Sequence, residues 1–191
     1  MTLVIDTIVP KYNYTSLEGL NAVLRLYNMK ASKGRPESAT YQNRGLIYYP
    51  LMEDGREGGA YIKASAFASQ PTLNNLEKRF TENQRAQDQH RRRLTSMIDY
   101  ALAGGELSFP AFQQAMAREK ISLVVQPDTG GLGTMWYVDH HTKTVFEGVA
   151  LGAKYTEAGV SQRCIPEDTY QQQEQAQAEN QRLDHRIRHS L

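Results

Sequence analysis

No intrachain disulfide can form in this chain, because Cys164 is its one cysteine, and a single thiolate builds no metal cage either. A reducing, cytoplasmic setting is the expectation. No run of about 18 apolar residues occurs in the sequence, which leaves no segment to cross a bilayer as a helix. The first residues, Met1-Thr2-Leu3-Val4-Ile5-Asp6, have neither the basic stretch nor the apolar run of a secretion signal. Excess charge is lacking too. The 22 Lys and Arg stand against 21 Asp and Glu, a net +1, so contacts with nucleic acid or membrane must come from local clusters rather than a global field. Chemistry is equally thin. His140 and His141 adjoin Asp139 with no third ligand at metal spacing and read as polar residues of an exposed turn. Cys164 has no base near it in sequence. Gly130-Gly131-Leu132-Gly133 lacks the strand-to-helix context of a phosphate loop and reads as a hairpin turn. The expectation is no catalytic residue, no cofactor and no metal.

What the sequence does have is a repeat. Ile62-Lys63-Ala64-Ser65-Ala66-Phe67, Pro71-Thr72, Leu76 and Arg79-Phe80 are echoed eighty-four positions on by Phe146-Glu147-Gly148-Val149-Ala150-Leu151, Tyr155-Thr156, Val160 and Arg163-Cys164. Upstream, Ser16, Leu20 and Met29 correspond to Ser108, Phe112 and Ile121 at a spacing of ninety-two, so the second copy has the shorter loops. Equivalence with Phe80 makes Cys164 a buried apolar position. Each lobe, at about 60 residues, would be only marginally stable alone.

Thr15-Ser16-Leu17-Glu18 reads as a capping box with Thr15 and Glu18 as its two partners. The helix it starts spaces Leu17, Leu20, Val23, Leu24 and Tyr27 on one face. Residues 30–44 read as a polar loop, long enough to be a functional or mobile element. Leu46-Ile47-Tyr48-Tyr49 and Ala60-Tyr61-Ile62 form a hairpin across the Asp-Gly and Gly-Gly pairs of residues 53–59. With Thr72 as cap and Pro71 before it, a helix then runs to Ala103. Its apolar residues lie at its ends, Leu73, Leu76 and Phe80, then Leu94, Met97, Ile98, Ala101 and Leu102. A polar middle of this kind is solvated or bound to a partner.

Gly104-Gly105 ends that helix, and Ser108 caps a short one bearing Phe109, Phe112, Ala115 and Met116. Strands follow at Ile121-Ser122-Leu123-Val124-Val125, Met135-Trp136-Tyr137-Val138 and Thr144-Val145-Phe146. Leu183, Ile187 and Leu191 make a weak stripe on a Gln- and Glu-rich tail. The expected fold is α+β: two similar small lobes over residues 10–80 and 108–165, each helix, strand, antiparallel hairpin, helix. A long, partly solvent-exposed helix over 72–103 joins them and holds them apart, and a helical or disordered tail covers 167–191.

Basic residues gather in two places. Lys78, Arg79, Arg85, Arg91, Arg92 and Arg93, with His90, lie along the long helix, where cations presented together can neutralise phosphates. Lys30, Lys33, Arg35 and Arg44 lie in or beside the loop of residues 30–44. Seven tyrosines of the first half, Tyr12, Tyr14, Tyr27, Tyr41, Tyr48, Tyr49 and Tyr61, pack in a core or stack on bases, and packing is the simpler reading.

These segments also resemble a family. Tyr14-Thr15-Ser16-Leu17-Glu18-Gly19-Leu20-Asn21-Ala22-Val23-Leu24, Tyr27-Asn28, Gly45-Leu46-Ile47-Tyr48-Tyr49 and Ile62-Lys63-Ala64-Ser65-Ala66-Phe67 with Pro71-Thr72-Leu73 are similar to the region after the nuclease domain in relaxase/mobilization proteins of Bacteroidetes. In the second half Gly133, Trp136-Tyr137-Val138-Asp139-His140, Thr142-Lys143, Val145-Phe146, Gly148, Leu151-Gly152 and Tyr155 carry it. Val149 and Ala150 depart from the pattern, where a serine and an acidic residue are common. Such relaxases nick a transfer origin through a tyrosine and a histidine-bound metal in an N-terminal domain, and no residue here corresponds to those.

The resemblance therefore implies a non-catalytic piece of a longer relaxase, or a relic without the nuclease, that helps bind transfer-origin DNA during plasmid or transposon mobilization. The other expectation is a protein-interaction module that docks onto other proteins of the transfer complex without touching DNA.

Overall fold

The computed structural model describes residues 2–126 and 133–188, and the turn read at Gly130-Gly131-Leu132-Gly133 lies, but for Gly133, outside them. Helix α1 (Thr2–Ile8) buries Ile5 and Ile8. Helix α2 (Leu17–Arg25) starts at Ser16, whose hydroxyl accepts from the Gly19 N–H at 3.0 Å. The cap is therefore one residue later than the Thr15 box. Glu18 still stands in the first turn, against the positive end of the helix dipole.

Strand β1 (Met29–Ser32), helix α3 (Ala39–Gln42), β2 (Ile47–Pro50) and β3 (Ile62–Lys63) follow, and the strands form an antiparallel sheet in the order β1-β2-β3. Lys30 is thus a strand residue, and a short helix interrupts what read as a plain loop. A 3₁₀ turn at Ala64–Ala66 leads to α4 (Leu73–Ala101), 29 continuous residues or about 43 Å of helix. The second unit is α5 (Phe109–Arg118), β4 (Ile121–Gln126), β5 (Thr134–Asp139), β6 (Thr144–Glu147), α6 (Gly148–Leu151), a 3₁₀ turn at Ala153–Tyr155 and α7 (Glu157–Ser161), its sheet antiparallel in the order β4-β5-β6. Helix α8 (Glu167–Arg188) forms the tail. No described helix is long and apolar enough to cross a membrane.

The two units share their register as well as their order. Met29 pairs with Pro50 and Ala31 with Tyr48, as Ile121 pairs with Asp139 and Leu123 with Tyr137. Tyr48 pairs with Ile62 as Tyr137 pairs with Phe146. Asn28 and Lys120, the residues before β1 and β4, both take positive φ, 54° and 59°, the left-handed turn that redirects a helix end. Both central tyrosines are buried and donate to the carbonyl just before the threonine that starts the next helix, Tyr48 to Pro71 at 2.9 Å and Tyr137 to Tyr155 at 2.8 Å. Leu76 and Val160 are fully buried at equivalent places. Phe80 packs against the first core and Cys164, half-buried, against the second.

The lobes are not held apart. One face of the second sheet, Val124, Trp136, Val138 and Val145, belongs to the same core as Leu17, Leu20 and Val23 of α2, while Leu123, Met135, Tyr137 and Phe146 on the other face pack with Phe112 and Met116 of α5 and Leu94 and Ile98 of α4. Asn13 adds to the edge of that sheet, donating to the Lys143 carbonyl at 2.7 Å and accepting from the Val145 N–H at 3.1 Å. Burial of both faces stabilises a unit whose size alone makes it marginal.

The polar middle of α4 takes part in this joint. Asn83 and Gln87 are buried, and their amides donate to the carbonyls of Tyr14 and Val145. Polarity there satisfies backbone at the junction of the lobes rather than facing solvent alone.

Candidate nucleic-acid interface

The basic residues of α4 divide by direction. Lys78, Arg85 and Arg92 are exposed, and their spacing of seven puts them on one stripe, about 10 Å from one to the next. The others are engaged within the protein: Arg79 donates to the Pro10 carbonyl at 2.9 Å, Arg91 to that of Ala150 at 2.7 Å, and Arg93 pairs with Asp139. Consecutive arginines point about 100° apart around a helix, so Arg91, Arg92 and Arg93 form no single patch. Arg93 is an anchor between α4 and the second lobe, because Asp139 is only 1% exposed and also accepts from the N–H groups of His141 and Thr142.

His140 belongs to the same joint. Its ring nitrogens meet the Tyr12 hydroxyl at 2.7 Å and the Ser122 hydroxyl at 2.8 Å, linking the first lobe to β4. Burial foremost, then the Lys143 charge, pushes its pKa below the usual histidine value against the pull of Asp139. The exposed-turn reading of this residue is corrected by these bonds. Among the described residues, no three His, Cys, Asp or Glu side chains gather as a metal would need.

The tyrosines divide too. Tyr12, Tyr14 and Tyr48 are buried, and burial raises the first two hydroxyls to about 12. Tyr49 is half-buried and Tyr61 is 49% exposed, their rings edge to face with centroids 5.7 Å apart. Both lie on the outward face of the first sheet, because Tyr48 and Ala31, one residue out of phase, point into the core. Lys30 sits opposite Tyr49 on that face, bonded to Glu57 at 2.8 Å, and Lys63 stands opposite Ile47. Burial foremost, then Glu57 and Tyr61, raises the pKa of Tyr49, and the nearby Arg35 acts the other way.

The shared register makes this face informative. Ile47, Tyr49 and Tyr61 occupy the positions of Trp136, Val138 and Val145, which in the second lobe lie under α2. The equivalent face of the first lobe lacks that cover and carries Tyr49 and Tyr61 where the second carries Val138 and Val145, and Lys30 and Lys63 where the second carries Ser122 and Glu147. At one end Ile47 is 4% exposed and shares the wall of a polar cavity with Ala39 and Thr40, so α3 roofs that end.

The cavity continues to Arg44, which pairs with Glu77 at 2.7 Å. Lys33 and Arg35 are exposed on the connector beyond β1. Lys30, Arg35, Lys63 and Arg44 thus surround the tyrosine face, whereas the α4 cations do not converge. Lys63 escaped sequence reasoning, since its one mark was membership of the repeat. The tyrosines were visible, yet which of them face outward depends on strand phase. Comparison with family models, curated proteins and solved structures finds no match.

Proposed function

We propose that this chain is a non-catalytic nucleic-acid-binding module and that a single strand lies on the outward face of its first sheet. The observation that carries the reading is the contrast between equivalent faces, one covered by a helix and apolar, the other open with Tyr49 and Tyr61 among Lys30, Arg35 and Lys63. Bases stack on such rings without hydrogen-bond readout, and flanking cations neutralise the backbone. The Lys30–Glu57 pair is exposed, and a surface pair worth at most about 1 kcal/mol yields readily to a phosphate. The relaxase resemblance supplies the setting, transfer-origin DNA handled during mobilization, with the nicking chemistry carried by another domain.

Fluorescence anisotropy of labelled single-stranded DNA at low salt tests this. Tyr49→Ala with Tyr61→Ala is expected to weaken binding at least about tenfold, since each stacked base contributes about 1–3 kcal/mol. Wild-type protein that leaves the DNA unbound at low salt would sink the reading.

A second reading is protein docking within the transfer complex. It rests on the apolar groove between the end of α4 and α5, lined by Met97, Ala101, Leu107 and Met116 beside Tyr100, which is 86% exposed. Tyr100→Glu would then abolish capture of a transfer protein while leaving DNA affinity untouched.

A further inference from the structure

Beside the tyrosine face lies a cavity of about 440 Å³ whose polar walls come from three separate segments: Thr40 and Arg44 from the connector, Lys63 and Ser65 from β3 and the turn after it, Thr72 and Asn74 from the start of α4. Two cations, three hydroxyls and the two amides of Asn43 and Asn74 converge there, and no carboxylate lines it. That chemistry suits an anion with several acceptor oxygens, and the volume falls in the range that holds a small ligand group. No aromatic ring lines it, so a base has nothing to stack on. The first turn of α4 adds to the field of these side chains, for Thr72 makes no side-chain cap bond and no acidic residue stands in that turn.

Lys63 and Ile47 connect the cavity to the sheet, being at once wall residues and members of the outward face. Arg44 is held by Glu77 in a pair exposed on both sides, 62% and 45%, an arrangement that exchanges partners at little cost. We infer that this cavity seats a phosphate of the strand whose bases stack on Tyr49 and Tyr61. The inference rests on the sheet-face reading and specifies which phosphate-binding residues accompany it: Lys63 and Arg44 supply charge, and Ser65, Thr72 and Asn74 supply hydrogen-bond donors. A chain terminus and an internal phosphodiester carry the same chemistry.

The test uses the full chain and labelled oligothymidylates with and without a terminal phosphate, titrated over a range of KCl. Asn74→Glu puts a carboxylate into the cavity at a position where an acidic residue favours the helix, so folding should hold or improve. The expected result is a melting temperature at or above that of the wild type, with affinity several-fold weaker and a salt slope smaller by about 0.7 for the lost phosphate contact. Weakening confined to the phosphorylated oligonucleotide assigns the seat to a chain end, and equal weakening of both assigns it to an internal phosphate. Asn74→Glu protein that binds both oligonucleotides with wild-type affinity and slope, while the double tyrosine variant has lost binding, overturns the inference and leaves the sheet-face reading intact. Wild-type protein that binds neither overturns both.

Discussion

Single residues decide how the lobes stay joined. His140, between the hydroxyls of Tyr12 and Ser122, has a pKa lowered from 6.5, so the folded protein favours the neutral ring. A group depressed in this way contributes full stability above its unfolded pKa, and that contribution falls as pH drops below about 6.5. Urea midpoints measured at pH 7.5 and 5.5 should therefore separate in the wild type and converge in His140→Gln. Asp139 makes the complementary case. Arg93→Ala leaves a nearly inaccessible carboxylate without its cation, at a cost of about 2–4 kcal/mol because Arg93 itself is partly solvated. Arg93→Ala combined with Asp139→Asn should recover part of that loss in chemical denaturation. Arg92→Ala, on the exposed stripe, should change stability by less than about 0.5 kcal/mol.

At the level of elements, the same unit is built twice and finished differently. Helix α4 begins as α7 does, after a threonine and a carbonyl held by a strand tyrosine, yet runs on for 29 residues. Its continuation is held by Asn83 and Gln87, so Gln87→Leu should cost about 1–3 kcal/mol by orphaning the Val145 carbonyl, whereas Gln84→Leu, an exposed neighbour, should cost little. Where the first unit has Ala64 the second has Gly148, and a Cβ there would stand 2.5 Å from the Tyr155 carbonyl oxygen and 3.1 Å from that of Met135. Both are backbone atoms that cannot swing aside. Gly148→Ala should lower the melting temperature by several degrees, a loss on the order of 2 kcal/mol.

The whole molecule follows from the shared core. Trp136 reaches α2 so closely that a Cβ on Gly19 would lie 3.2 Å from its ring, and the second sheet has no solvated face to fall back on. The two lobes should therefore unfold together, with calorimetric and van't Hoff enthalpies in agreement, and residues 108–165 expressed alone should lack a cooperative transition. Two resolved transitions would contradict this.

Much of the architecture was legible in the residues, because periodicity, caps and turn pairs are local. The helix-capping Ser108, the break at Gly104-Gly105, the hairpins and the repeat all follow from spacing, whereas the first cap fell one residue past the Thr15 box, at Ser16. Even the double burial of β5 has a mark in the unbroken run Met135-Trp136-Tyr137-Val138, which does not alternate as a half-exposed strand would. The candidate site was legible only in its ingredients. Charge along α4 looked like a patch because sequence distance hides direction. Three of its six cations are bonded to the protein itself, and the tyrosines that face outward are told from those that face inward by a one-residue phase. The sequence by itself determined most of the elements, α1 and α3 excepted, and that the unit forms twice, since those depend on neighbours a few residues apart. Only the tertiary structure decided that α2 covers one sheet and leaves the equivalent face of the other open, because docking brings together residues more than a hundred positions apart and the difference between covered and uncovered exists only once they meet.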